Sequence, residues 1–219
     1  MRLKALLKGL TPPLLLALAR RSAPGKRDHL DIYWDPGMAQ LLESWGEGNA
    51  WHEIRLLLGG RQGKVLDIAC GTGKVMGIVQ ANARLEVHGC DISDYLISKA
   101  RERGLAADRL TVCDAARLPY PDRSFDYAYS IGSLEHFPEE GIDQVFRECA
   151  RAVKKLSFHM IPVSRDGRDE GWITPYQGYF NNGTQWWTAK ARRVFREVAV
   201  LDSIWSDERS VGKWLVCES

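Results

Sequence analysis

The sequence predicts an α/β fold: a mostly parallel sheet, wound with helices on both faces and closed by an antiparallel hairpin at its end. Three observations predict it. Between residues 64 and 163, short apolar runs alternate with helix-like segments, which is the pattern of parallel strands joined by right-handed crossovers. Two strand-like runs at 198–205 and 212–217 lie too close in the chain for a crossover, so they pair antiparallel. The chain has 219 residues, 45% hydrophobic and 26% charged, enough for one full core and too few for two.

The first 27 residues interleave Arg2, Lys4 and Lys8 with Leu3, Leu6, Leu7 and Leu10, and continue through an apolar run at 14–19 to Arg20-Arg21. That run is far short of the ~20 apolar residues of a membrane span, and the order of a signal peptide is missing. Two readings stand: helices packed on the domain, or a basic amphipathic helix making peripheral contact with an anionic membrane. Residues 28–60 read as helical, with Trp45, Ile54, Leu56, Leu57 and Leu58 as apolar faces and Gly59-Gly60 as the stop. Residues 1–60 are therefore expected to form a helical extension or cap, and 61–219 the main domain.

The strands are expected at 64–69, 85–90, 110–113, 125–131 and 156–163, followed by the hairpin pair. Helices fall at 73–81, 94–103 (stopped by Gly104), 139–154 and 188–196. A formal charge of +2 gives no basic stripe for a nucleic acid. The five cysteines are scattered with no CxxC pair, so neither a disulfide framework nor a zinc site is expected, and a reducing cytoplasm fits.

The chemistry concentrates at the strand ends. Asp67-Ile68-Ala69-Cys70-Gly71-Thr72-Gly73 puts a carboxylate at the end of the first strand, then glycines at the turn into a helix. In an open α/β sheet the ligand sits beyond the carboxyl ends of the strands, and glycines there let the backbone approach it. A carboxylate aimed into this turn repels a pyrophosphate and favours a cation. S-adenosylmethionine, a sulfonium with an amino group and no phosphate, fits. Asp91, 24 residues past Asp67, ends the second strand, where it is placed to accept ribose hydroxyls. Asp114-Ala115 ends the third strand near an adenine edge, and Ser130 to Ser133 ends the fourth near the reacting carbon. A nicotinamide-dependent oxidoreductase would use the same glycine turn but gives no reason for Asp67 or Asp114. A non-catalytic, membrane-recruited partner protein is the other alternative, resting on the basic N-terminus.

Residues 63–155 resemble a class I S-adenosylmethionine-dependent methyltransferase of the type 11 group. The likeness is carried by the Asp67–Gly73 motif, Asp91-Ile92-Ser93, Asp114-Ala115, Leu118-Pro119-Tyr120 and Phe125-Asp126 leading to Ser133-Leu134-Glu135-His136. It implies a Rossmann-like, seven-stranded sheet in the order 3-2-1-4-5-7-6. It also implies that Asp67, Ala69, Gly71 and Gly73 cradle the methionine part, Asp91 and Ile92 hold ribose and adenine, Asp114 and Ala115 meet the base, and Ser130 meets the methionine end. Ala69 stands where the family commonly has its first glycine, and the usual Pro-Gly-Gly before the fifth strand is absent. Trp51-His52-Glu53-Ile54 and the stretch from Gly171-Trp172 to Trp186-Trp187 resemble a subset linked to surface-polysaccharide and sugar pathways.

Methyl transfer to a hydroxyl is assisted by a base, and His136, Glu135 and then His159 are the candidates. The fourth strand lacks the Asn/Asp-Pro-Pro-aromatic signature of exocyclic-amine methylation, which points to oxygen acceptors, and no metal-ligand cluster is visible. Residues 164–187 read as an acceptor-site insert. There Trp172, Tyr176, Tyr179, Asn181, Trp186 and Trp187 offer aromatic faces and amides to a small polar acceptor such as a carbohydrate. Tyr33 and Trp34 are placed to close over the cofactor from the N-terminal side.

Overall fold

The computed structural model describes residues 30–44, 50–174 and 177–219. Seven strands form one sheet: β1 (Gly63–Ile68), β2 (Leu85–Asp91), β3 (Leu110–Val112), β4 (Phe125–Ile131), β5 (Val153–Ser164), β8 (Glu197–Ser206) and β9 (Ser210–Glu218). Their order, β3-β2-β1-β4-β5-β9-β8, is the expected one once a separate two-stranded sheet is set aside, β6 (Trp172–Ile173) with β7 (Tyr179–Phe180). Strands β1 to β5 pair in parallel, and β9 runs antiparallel to both β5 and β8. The order reverses between β1 and β4, so a crevice opens above their carboxyl ends.

Helices α1 (Pro36–Leu42), α2 (Ala50–Leu57), α3 (Lys74–Val79), α4 (Asp94–Glu102), α5 (Glu139–Ala152) and α6 (Thr184–Ala191) cover both faces. Helix α5 shows why: Ile142, Val145, Phe146, Cys149 and Ala152 recur at helical spacing and all are buried, against Leu66, Ile161, Leu215 and Trp187. On the opposite face Ile54, Val65, Met76, Ile97 and Trp214 form a second core. Adjacent residues of β1 therefore feed different cores, which makes the strand read as a continuous apolar run. Truncating Phe146 to alanine removes about 3–5 kcal/mol of stability.

One carboxylate joins α2 to the terminal hairpin. Glu53 accepts from the Ser203 hydroxyl (2.6 Å), the Ile204 N–H (2.8 Å) and the Trp214 indole (2.8 Å).

Three expectations need correction, and one is met. Residues 28–60 are not one helical stretch: a 3-10 turn at Asp31–Trp34 precedes α1 and α2. Asp35 caps α1, accepting from Gly37 N–H at 2.7 Å, with Pro36 at the first helical position. The helix expected at 188–196 begins earlier, as Trp186 and Trp187 belong to α6. Strand β5 starts directly where α5 ends, in keeping with the missing Pro-Gly-Gly. The insert holds the small β6–β7 hairpin, which aromatic composition alone does not announce. The proposed membrane-contacting stretch 1–27, Trp45 and Tyr176 lie outside the described residues. Among the described residues no helix is long and apolar enough to cross a membrane.

Candidate functional site

The strand ends meet in a cleft of about 800 Å³, within the range of small-molecule sites. Asp67, Ala69, Gly71, Asp91, Ile92, Asp114 and Ala115 all line it, as the sequence predicts. Leaving β1, the chain turns through left-handed backbone at Ala69 (φ 56°) and Gly71 (φ 54°). The turn is held by Asp91, whose Oδ2 accepts from Gly71 N–H at 2.9 Å while Oδ1 accepts from Ser93 N–H at 2.9 Å. Asp67 Oδ2 accepts the Tyr129 hydroxyl at 2.8 Å. Burial lifts both acids above the ordinary carboxylate range: the Tyr129 bond opposes this at Asp67, and the backbone N–H bonds oppose it at Asp91. A cation entering the cleft would favour their charged forms. Asp114 Oδ1 accepts from Ala116 N–H at 2.8 Å and marks the far rim.

Gly73 and Ser130 do not line the cleft. At Gly73 (φ 72°) an added Cβ would fall 2.3 Å from Leu105 Cδ1 and 3.1 Å from Ala100 Cβ, so this glycine lets α4 pack close. Ser130 is fully buried, with its hydroxyl 2.9 Å from His159 Nδ1. His159 is correspondingly a core residue and not a catalytic one. It is fully buried, its Nε2 pairs with Ser157 Oγ at 3.0 Å, its ring meets Phe146, and burial pushes its pKa down to about 3.

Past β4, a 3-10 turn at Leu134–His136 sets two candidate bases at the cleft. His136 Nδ1 lies 2.8 Å from the Gly178 carbonyl and must be the protonated nitrogen, because a carbonyl only accepts. Nε2 is left with its lone pair, 3.7 Å from Glu135 Oε1. Burial pushes His136 down to about 4, so it is neutral. Glu135 is 2% exposed, its Oε2 has no hydrogen-bond partner among the described residues, and burial pushes its pKa up to about 8. Burial thus reverses the ordinary order of the two pKa values.

Tyr33 does come over the site. Its carbonyl accepts from Ser93 Oγ at 2.6 Å, and its hydroxyl accepts from Gln177 of the insert at 2.6 Å. Trp34 instead lies exposed and donates to Asp94 at 2.7 Å. Of the insert's expected acceptor residues that are described, Tyr179 alone lines the cleft. Trp187 is in the core, Trp186 stacks on Phe180 at 5.3 Å and Trp172 meets Phe180 at 5.2 Å. Asn181 is fully buried, donating to Glu170 at 2.9 Å and accepting from Ser210 Oγ at 3.1 Å. Trp51 and Gln177, which fall in segments the sequence singles out, also line the cleft, and sequence reasoning missed Lys74, Trp205 and Arg209 there. Only Lys74 carried a local signal, a cation directly after the glycine turn.

A doubly wound sheet with acids at three consecutive strand ends and a buried carboxyl past the fourth has the layout of a nucleoside-cofactor site. A family model described as a methyltransferase domain matches residues 65–155, and that domain belongs to the class I S-adenosylmethionine-dependent methyltransferases, whose cofactor is S-adenosylmethionine. The methyltransferase GfsG of Streptomyces halstedii is 36% identical over 129 residues, covering 56% of this chain and 45% of that protein. The chain spans between 23% and 49% of the length of the curated relatives it matches. Phosphoethanolamine N-methyltransferase 2 of Haemonchus contortus, solved with S-adenosyl-L-methionine, shares the fold with a TM-score of 0.68 at 19% identity, covering 91% of this chain and 61% of that one. The structure of SpnF, a 4+2 cyclase, has a TM-score of 0.58 at 27% identity, covering 68% of this chain and 58% of that one. The fold therefore hosts more than one reaction, and the site must decide.

Proposed function

We propose that this chain transfers a methyl group from S-adenosylmethionine to a hydroxyl of a small polar acceptor, such as a sugar. The carrying observation is the convergence of Asp67, Asp91 and Asp114 in one cleft with the buried Glu135 carboxyl, whose Oε2 has no hydrogen-bond partner among the described residues. The residues fit the cofactor. The Gly71 turn leaves room beside Asp67 for an amino acid tail, and Asp91 keeps lone pairs beyond its two backbone bonds for the ribose hydroxyls. Ile92 and Ala115 give apolar walls to the base, with Asp114 at its edge. When bound, the cofactor supplies a methyl already activated on sulfur.

The protein's own task is to bring the acceptor oxygen in line, exclude water and take its proton. Glu135 is assigned the proton; His136, tied to Gly178, holds the insert against the site and faces the acceptor with a neutral nitrogen. The acceptor half is framed by Tyr179 and Gln177 from the insert and by Trp205 from the terminal hairpin, a mixture of aromatic faces and polar groups suited to a ring with hydroxyls. These residues replace most of the insert aromatics first expected there. On this reading residues 1–60 act as an extension or cap and 164–187 as an acceptor insert, in a cytoplasmic enzyme of a sugar or polysaccharide pathway. The five free cysteines and the sugar-pathway likeness of the insert support that setting. Calorimetry with S-adenosylhomocysteine, followed by a methyl-transfer screen of sugar acceptors, tests the proposal. A wild-type protein that binds NADH and not S-adenosylhomocysteine would overturn it.

A further inference from the structure

The β8–β9 turn is built more firmly than a hairpin requires, and it ends in a cation. Asp207 Oδ1 accepts from the backbone N–H groups of Arg209 (2.8 Å) and Ser210 (2.6 Å). From the neighbouring strand end, the Arg165 N–H donates to the Arg209 carbonyl at 2.9 Å, and the Arg165 guanidinium donates to the carbonyls of Asp207 and Ser210. Behind the turn Ser210 Oγ donates to the buried Asn181, itself fixed by Glu170. A two-stranded hairpin needs a turn residue or two; it does not need an arginine clasp outside and a buried amide beneath. The outcome of this bracing is a fixed backbone from which Arg209 reaches the cleft mouth, beside Tyr179 and Trp205.

Arg209 is also uncommitted. Among the described residues no carboxylate lies within ion-pair distance of it. The adjacent Asp207 carboxylate has an oxygen spent on two backbone donors. The other permanent cation of the lining, Lys74, starts α3 at the cofactor turn. The acceptor half thus has an acid at its depth, Glu135, and at the turn a planar guanidinium flanked by Asp207 and Glu208, which also line the cleft; with Asp207 Oδ1 held by backbone N–H groups, the guanidinium is the group there that matches a bidentate oxyanion.

We propose that the acceptor is an anionic sugar, one bearing a phosphate or a carboxylate that Arg209 grips at the mouth while the ring lies between Trp205 and Tyr179. This rests on the reading of the cleft as a methyl-transfer site. The test is calorimetry on the protein saturated with S-adenosylhomocysteine, using glucose 1-phosphate, glucuronate and glucose as probes, on wild type, Arg209→Met and Arg209→Lys. The expected result is at least tenfold tighter binding of one or both anionic probes than of glucose. Arg209→Met should erase the preference and Arg209→Lys keep part of it, with S-adenosylhomocysteine affinity unchanged throughout. The better of the two anionic probes identifies the source of the charge. Equal affinity for all three probes, immeasurably weak binding included, or a preference that survives Arg209→Met, overturns the proposal. Failure of wild type to bind S-adenosylhomocysteine would instead sink the methyl-transfer reading.

Discussion

The N–H of Gly71 donates to Oδ2 of Asp91 at 2.9 Å, so the glycine turn after the first strand is held by the carboxylate that ends the second. Two features that look independent in the sequence are one structural unit. Asp91→Ala removes the acceptor for the ribose hydroxyls and also orphans two backbone donors, at Gly71 and Ser93. S-adenosylhomocysteine binding should weaken by about 1–3 kcal/mol, and the melting temperature should fall as well. Asp91→Asn, which keeps one oxygen, should lie between. Unchanged affinity in calorimetry would move the ribose elsewhere.

Lys74 begins the helix after the glycine turn and lines the cleft, with Glu43 at 3.8 Å and the Trp51 ring at 5.6 Å. A methionine tail placed by Asp67 brings a carboxylate that Asp67 and Asp91 would repel, and Lys74 is the available counter-charge. Lys74→Met should weaken S-adenosylhomocysteine about tenfold, a modest effect because the ammonium is one-third exposed. It should leave 5′-methylthioadenosine, which lacks the tail, unaffected. Equal losses for both ligands would show that the lysine acts on the fold instead.

Glu135 titrates at about 8 in the folded protein against an ordinary 4.5. Between those values the folded state holds a proton that the unfolded state has released, so stability falls as pH rises through that window. Glu135→Gln cannot ionise. Its melting temperature should gain on wild type steadily from about pH 5 to pH 8.5, with no pH-dependent difference below pH 4.5. If Glu135 is the base, the same variant loses turnover while keeping cofactor affinity. Parallel melting curves across the whole series would refute the burial argument.

Ala69 holds a φ of 56°, where its Cβ crowds the following carbonyl. Ala69→Gly should relieve that strain and raise stability by roughly 0.5–1 kcal/mol, a gain of about 1–4 °C for a chain of this size. A lower melting temperature would mean that the methyl group's packing outweighs the backbone strain.

The sheet was legible because β1 to β4 are short, largely apolar runs closed by an acid or glycine at or just past their ends, and β4 falls where its seven residues predict. The gathering of Asp67, Asp91 and Asp114 in one cleft was equally legible, since they mark strand ends that any parallel sheet brings to one side. The acceptor half was not. Arg209 and Gln177 reach the cleft only through the antiparallel pairing of β9 and the fold of the insert, which no local period encodes. Trp172, Trp186 and Trp187 misled because an aromatic is as useful in a core as against a ligand. His136 was ranked above Glu135 on unperturbed pKa values, and burial reverses their order.

Glu53 sits on the same helix as Trp51, which lines the cleft, and it grips the hairpin that presents Trp205 and Arg209. The gap between two walls of the binding mouth is therefore set by a side chain that does not itself line it. A lineage that gains or loses this one carboxylate shifts both walls together, so new ligand preferences in this scaffold are open to selection from behind the pocket as well as from within it.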